Sequence, residues 1–155
     1  MPTTGTKTIR LRCLRPVFER QVVREDAPDY LNRRVTTSRE VFELFRDLEH
    51  ETREHFIALH LDSKNTIICF DRVSIGSLNA AVIHPRELFK SVLLSSAAAV
   101  ILVHVHPSGD PTPSREDLEL TGRLKECGEL LGVKVLDHII VGHDCYVSLA
   151  DRGLM

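Results

Sequence analysis

The sequence predicts an α/β (α+β) fold, a mixed central sheet flanked by helices. Three observations carry this. Residues 98–106 and 133–141 are apolar without alternation, as strands buried on both faces are, and a helix-length segment opening at Ser114 separates them. Two further strand-length segments meet at the turn Ser63-Lys64-Asn65 and read as a hairpin. Val41, Leu44, Phe45 and Leu48 recur at the spacing of one helix face. Strands alternating with amphipathic helices bury both sets of apolar faces when the helices pack on the sheet.

A chain of 155 residues is sized for one compact domain. Its 43% hydrophobic and 27% charged residues suit a soluble globular protein. No apolar run approaches the ~20 residues that span a bilayer, so no membrane role is expected. The opening stretch MPTTGTKTIRLRC lacks the apolar core of a secretory signal. Cys13, Cys69, Cys127 and Cys145 stand far apart with no CxxC pair. They read as reduced thiols of a cytoplasmic protein, most of them packed in the core. The net charge of −2 is uneven: residues 1–36 carry eight Lys and Arg against four Asp and Glu, the remainder twelve against eighteen. A basic arm can meet nucleic acid, but alternating arginines on a solvated edge strand are the simpler reading.

Element by element, residues 9–18 alternate apolar and basic and predict a surface strand. Residues 1–36 are thus expected to form an N-terminal strand and arm packing on a domain spanning 37–155. Residues 26–32, polar and containing Pro28, read as a turn or linker. Thr37-Ser38-Arg39-Glu40 has the pattern of a capping box ahead of the first helix. Residues 54–62 and 66–73 are the hairpin strands, Gly76 marks a bend, and 80–83 form a short strand. Pro85, at a first helical position, opens a helix to about Leu94. Residues 107–113 hold three prolines and no regular structure. Ser114 caps a helix running to Leu131, with Gly132 at its end. Residues 145–148 make a last short strand. No internal repeat or low-complexity segment is present.

His104-Val105-His106 closes the first buried strand. Imidazoles at i and i+2 of a strand share a face and can reach one cation. Asp117 falls in the first turn of the following helix, on the stripe of Leu120, Leu124, Cys127 and Leu131. A carboxylate on an inward face is costly unless something positive meets it, and a metal held by both histidines would do so. Three protein ligands with a position left for water distinguish catalytic from structural zinc. A His-x-His pair alone is more often two core histidines, and a first-turn carboxylate more often a dipole-favoured residue. Ser114, Asp117 and the proline-rich loop at this spacing tip the balance towards a metal.

The spacing H-x-H-x7-S-x2-D matches the JAMM motif, and the string HVHPSGDPTPSREDLELT resembles the RadC-like branch of the JAB/MPN zinc metalloprotease superfamily. Gly76, His84-Pro85-Arg86-Glu87 and Leu136-Asp137-His138-Ile139-Ile140 resemble it too, so the likeness covers about residues 36–155. It implies the cytidine deaminase-like JAB/MPN fold and one zinc ion on His104, His106 and Asp117. The implied activity is hydrolysis of a peptide or isopeptide bond in a peptide or protein substrate. It also implies a glutamate on an early strand as general base. Glu54 matches, since alternation sets it on one face with Phe56, Ala58 and His60, whereas Glu51 lies farther out. By the same pattern Ser114 is expected to help stabilise a tetrahedral oxyanion besides capping its helix. Val105 stands where RadC-like proteins usually carry Asn, which removes a polar group but no ligand.

Full-length relatives of that branch carry a helix-hairpin-helix region that finds no match here. A DNA-repair accessory role therefore rests only on the basic residues of 1–36. A non-catalytic MPN-type scaffold is the third reading, and the presence of every ligand argues against it. Ser108-Gly109-Asp110 is expected to shape the site mouth, and Asp137 to support the site or the fold. His50, His55, His60, His84, His138 and His143 are expected to be structural or surface residues. Iron, manganese or nickel also suit this ligand set, and the oligomeric state is open, a homodimer included.

Overall fold

In the computed structural model, residues 11–21, 32–76 and 83–155 are described. Among them a five-stranded mixed sheet separates two helical layers. Its strands are β1 (His55–Leu61), β2 (Ile67–Ile75), β3 (Ala99–Val105), β4 (Lys134–Val141) and β5 (Tyr146–Ser148). They lie in the order β2-β1-β3-β4-β5. Neighbours are antiparallel except β3 and β4, which run parallel, as the long helical connection between them requires.

Helix α1 (Ser38–Phe45) tightens into a 3-10 turn over Arg46–His50. It covers one face, where Val41, Phe42, Leu44 and Phe45 join Ile57, Leu59, Leu61, Ile101, Val103, Val105 and Ile139. Helices α2 (Pro85–Leu94) and α3 (Arg115–Leu131) cover the other, with Leu88, Phe89, Val92, Leu120 and Leu124 against Phe56, Ala58, Val100 and Leu102. β1 and β3 are therefore buried along their whole length on both faces, which is why their sequences do not alternate.

Helix starts follow their sequence signals. Thr37 and Glu40 form a reciprocal capping box at α1, Pro85 opens α2, and Ser114 with Asp117 forms a second box at α3. Gly132 ends α3 in the left-handed conformation. No helix among the described residues is long and apolar enough to cross a membrane.

Some expectations fail. Residues 11–18 of the proposed surface strand have no regular structure and are exposed, Leu11 and Phe18 included. Alternation alone cannot make a strand where no neighbouring strand accepts its hydrogen bonds. Among the described residues of this segment, Asn32–Val35 meets the domain: Arg34 bridges to Thr66 and Val35 N–H donates to the Asn65 carbonyl at 2.8 Å. Leu131, assigned to the α3 stripe by spacing, is 46% exposed. Gly128 takes the buried position because its bare Cα lies against the Val133 carbonyl. The four cysteines are free, with Cys13 exposed and the others half-buried rather than core. The strand expected over 80–83 falls mostly outside the described residues, and Ile83 itself is in no strand. The turn at 26–32 lies outside them save for Asn32.

Candidate metal centre

β3 delivers His104 and releases His106 just beyond its end. The pleat sends Val105 to the α1 face, where it is fully buried among Ile139 and Val141. His104 and His106 turn to the α3 face. The side chain at position 105 thus lies on the side of the sheet away from both imidazoles. In the β1–β3 ladder Phe56 stands opposite His104, which brings Glu54 to the same corner. The Glu54 carbonyl accepts from Gly76 N–H at 2.9 Å, anchoring this start of β1 to the end of β2.

Four side chains meet there. One ligand atom from each of Glu54, His104 and His106 lies within 4.8 Å of the other two, a grouping that can hold a metal ion. Glu54 Oε2 is 3.5 Å from His104 Nε2. Asp117, on the inward face of the first turn of α3, puts Oδ1 3.0 Å from His104 Nδ1 and Oδ2 3.4 Å from His106 Nε2. The two histidine rings stand nearly perpendicular with centroids 4.7 Å apart. His104 thus turns one nitrogen to Glu54 and the other to Asp117. One ring offers one nitrogen to one ion, so this geometry allows two third ligands, Glu54 through Nε2 or Asp117 through Nδ1.

Proton positions follow from the partners. His106 Nδ1 lies 2.9 Å from the Asp110 carbonyl, which can only accept, so Nδ1 carries the proton and Nε2 keeps a lone pair towards Asp117. His104 Nδ1 is buried and, despite its short approach to Asp117, makes no aligned hydrogen bond. A nitrogen and a carboxylate oxygen facing one another across such distances are held together by a proton or a cation between them. Two imidazoles and a buried carboxylate are also the donor chemistry of zinc and its neighbours.

Burial by itself would raise the Asp117 carboxyl. The adjoining His104 and His106 rings, with the Ser114 N–H and hydroxyl, outweigh it and hold Asp117 ionised far below the usual carboxylate range. Burial likewise opposes a charge on His106, yet Asp117 and the Asp110 carbonyl raise its pKa above the usual value. A proton and any metal ion held there would compete for the same Nε2.

Ser114 is committed locally. Its N–H and hydroxyl both donate to Asp117 Oδ2 at 2.7 Å, and its oxygen accepts from Asp117 N–H at 3.1 Å. The hydroxyl has one proton, and that proton orients Asp117; in this arrangement none is left for an oxyanion.

Two supporting residues escaped the sequence reading. His138, fully buried on β4, stacks on His104 with centroids 5.9 Å apart. The Thr121 hydroxyl lies 2.6 Å from the Asp117 carbonyl and 2.7 Å from His138 Nδ1. It donates to the carbonyl and accepts from the ring. His138 Nε2 is then unprotonated, buried and without a partner. Burial, with the nearby His104 adding to it, pushes His138 down to about 3, so the ring stays neutral. The spacing of Leu136-Asp137-His138 carries no signal for this, because the contact arises from the β3–β4 register. Asp137 points elsewhere, accepting from the Ser148 hydroxyl and the Ala150 N–H. Among the remaining histidines, His60 and His55 are buried away from the cluster, while His50, His84 and His143 are exposed.

Known families give a match over most of the chain. The sequence pattern of the RadC-like JAB domain matches residues 35–154. The chain belongs to the RadC-like JAB domain family. A RadC-like relative from Syntrophotalea carbinolica, named only as a UPF0758 protein, is 57% identical over 123 residues, covering 79% of this chain and 54% of its own length. One from Methanosarcina mazei is 45% identical over 156 residues, covering 100% of this chain and 68% of its own. A third, from Geotalea uraniireducens, is 53% identical over 126 residues, with 79% and 54% covered. The chain thus spans about half to two thirds of the length of these relatives, whose shared name states no activity. The RadC-like JAB match runs from Val35 to the C-terminal turn and contains all four residues of the cluster.

Proposed function

We propose that this domain is a divalent-metal-dependent hydrolase of amide bonds, a peptidase or isopeptidase acting on a peptide or protein substrate. The observation that carries the reading is the convergence of His104, His106, Asp117 and Glu54 with a buried imidazole nitrogen and a carboxylate oxygen in close, unaligned contact. His104, His106 and Asp117 would hold the ion. Asp117 is the third ligand on this reading because it is almost wholly buried, ionised and oriented by Ser114, whereas Glu54 stands at a strand start with its side chain partly open. A bound zinc ion would make a water acidic near neutral pH and polarise a carbonyl oxygen.

Glu54 supplies the proton traffic. Its carboxylate, fixed through its own backbone to Gly76 and lying beside His104, takes a proton from a water at Oε2 and returns it to the departing amine. Ser114 holds Asp117, and Asp110 holds His106 in the tautomer that presents Nε2. Phe56, with its ring 5.5 Å from both His104 and His138, keeps the floor of the site apolar.

Glu54→Gln preserves shape and removes the base. It should bind zinc as the wild type does while hydrolysis of a peptide or isopeptide substrate falls by at least about 100-fold. Unchanged hydrolysis would remove Glu54 from this role; loss of zinc would make it a ligand instead.

A further inference from the structure

The loop between β3 and α3 carries His106, Asp110 and Ser114, and it is held from outside by the β4–β5 turn. His106 N–H donates to the Val141 carbonyl at 2.9 Å, continuing the parallel ladder one residue past β3. Gly109 N–H then returns to the His106 carbonyl at 3.0 Å, and His143 N–H donates to the Gly109 carbonyl at 3.0 Å. Gly109 has φ +84°, and the His143 ring lies over its Cα so closely that a side chain there would meet it at 2.4 Å. Between these bonds sits Gly142. A Cβ on Gly142 would lie 2.3 Å from the Gly109 carbonyl oxygen, 2.9 Å from its carbon and 2.8 Å from Pro111 Cδ. Two of those three atoms are backbone and cannot rotate away. The conformation of Gly142 is not left-handed, so the objection to a side chain is steric alone.

The residue between the two crowded ones is Asp110, whose carbonyl fixes the His106 tautomer. We infer that Gly142 is a positioning residue for the metal centre: its missing side chain lets the loop close until the Asp110 carbonyl reaches His106 Nδ1 and turns Nε2 to the cation. The inference rests on the reading of the cluster as a cation site. An added methyl pushes residues 109–111 outward, breaks the His106–Asp110 hydrogen bond and frees the ring to turn, without touching any ligand. Support of this kind for a ligating histidine typically changes metal affinity by about 10–100-fold when it is lost.

The test is zinc affinity by competition with a chelating dye, together with the imidazole 15N signals of His106, for wild type, Gly142→Ala and Gly122→Ala. Gly122 lies on α3 with open space around its Cα and serves as the control. Gly142→Ala should bind zinc at least about 10-fold more weakly and lose the Nδ1–H signature of His106. Gly122→Ala should match wild type in both. Pro111→Gly, which loosens the same loop without adding an atom, should weaken zinc in the same direction and stands in if Gly142→Ala does not fold. Wild-type affinity in folded Gly142→Ala, or in Pro111→Gly when the former is unfolded, would overturn the inference. A wild-type protein that takes up no zinc would overturn the cation reading and the inference with it.

Discussion

Asp137 and Asp117 are 7% and 1% exposed, yet the groups around them differ in kind. Asp137 Oδ1 accepts from His138 N–H at 2.7 Å and Ala150 N–H at 3.0 Å, and Oδ2 from the Ser148 hydroxyl at 2.6 Å. Every partner has a proton to give, and together they tie β4 to β5 and the C-terminal turn. Asp117 is served this way on Oδ2 alone, by Ser114. Its Oδ1 meets a histidine nitrogen at 3.0 Å with no aligned hydrogen bond. Burial does not distinguish these two carboxylates. What separates them is whether the facing atoms already satisfy the charge.

The comparison breaks most visibly in stability. Asp137→Ala leaves two N–H groups and a hydroxyl without their acceptor in a dry region, so it should cost about 3 kcal/mol or more in urea unfolding. Zinc affinity of whatever remains folded should be unchanged. Asp117→Asn should do the reverse. The amide oxygen can still accept from Ser114 and the amide N–H can donate to an imidazole. Metal-free stability should therefore move by no more than about 1 kcal/mol, while zinc binding falls by more than about 100-fold. Equal losses of stability in the two variants would erase the distinction.

A smaller effect sharpens it. His60 and His138 are also buried with one ring nitrogen unpartnered, but among the described residues no carboxylate forms an ion pair with either. Burial lowers His60 to about 4, against some pull from Asp71, and His138 to about 3. An unfolded histidine titrates near ~6.5, so below that pH the unfolded chain binds more protons. Their contribution is full above pH ~6.5 and shrinks as pH falls towards 4, by at most about 1.4 kcal/mol per pH unit for each ring. Urea midpoints of metal-free protein at pH 7 and 5 should show the drop, and His60→Gln, far from the cluster, should reduce it. A midpoint independent of pH would contradict this reading of the two rings.

Much of the site was legible because it depends on local periods. The two-residue repeat of β3 put His104 and His106 on one face and Val105 on the other. The capping box and the three-residue step to Leu120 put Asp117 inward at the first turn of α3. What escaped depends on register and close approach. His138 reaches His104 only through a β3–β4 pairing that shifts between Val100 and Ile101. Gly142 lies close against a carbonyl thirty-odd residues earlier in the chain. Residues 11–18 err in the other direction: their alternation is real, but no strand among the described residues lies beside them to use it.

The central claim is that the Glu54–His104–His106–Asp117 corner holds one divalent cation. Crystals of zinc-loaded protein, with anomalous differences collected on either side of the zinc edge, test it most directly. The account predicts a single strong peak bounded by His104, His106 and Asp117, with Glu54 beside it. No peak in that corner, or one bound only by surface residues, would contradict it.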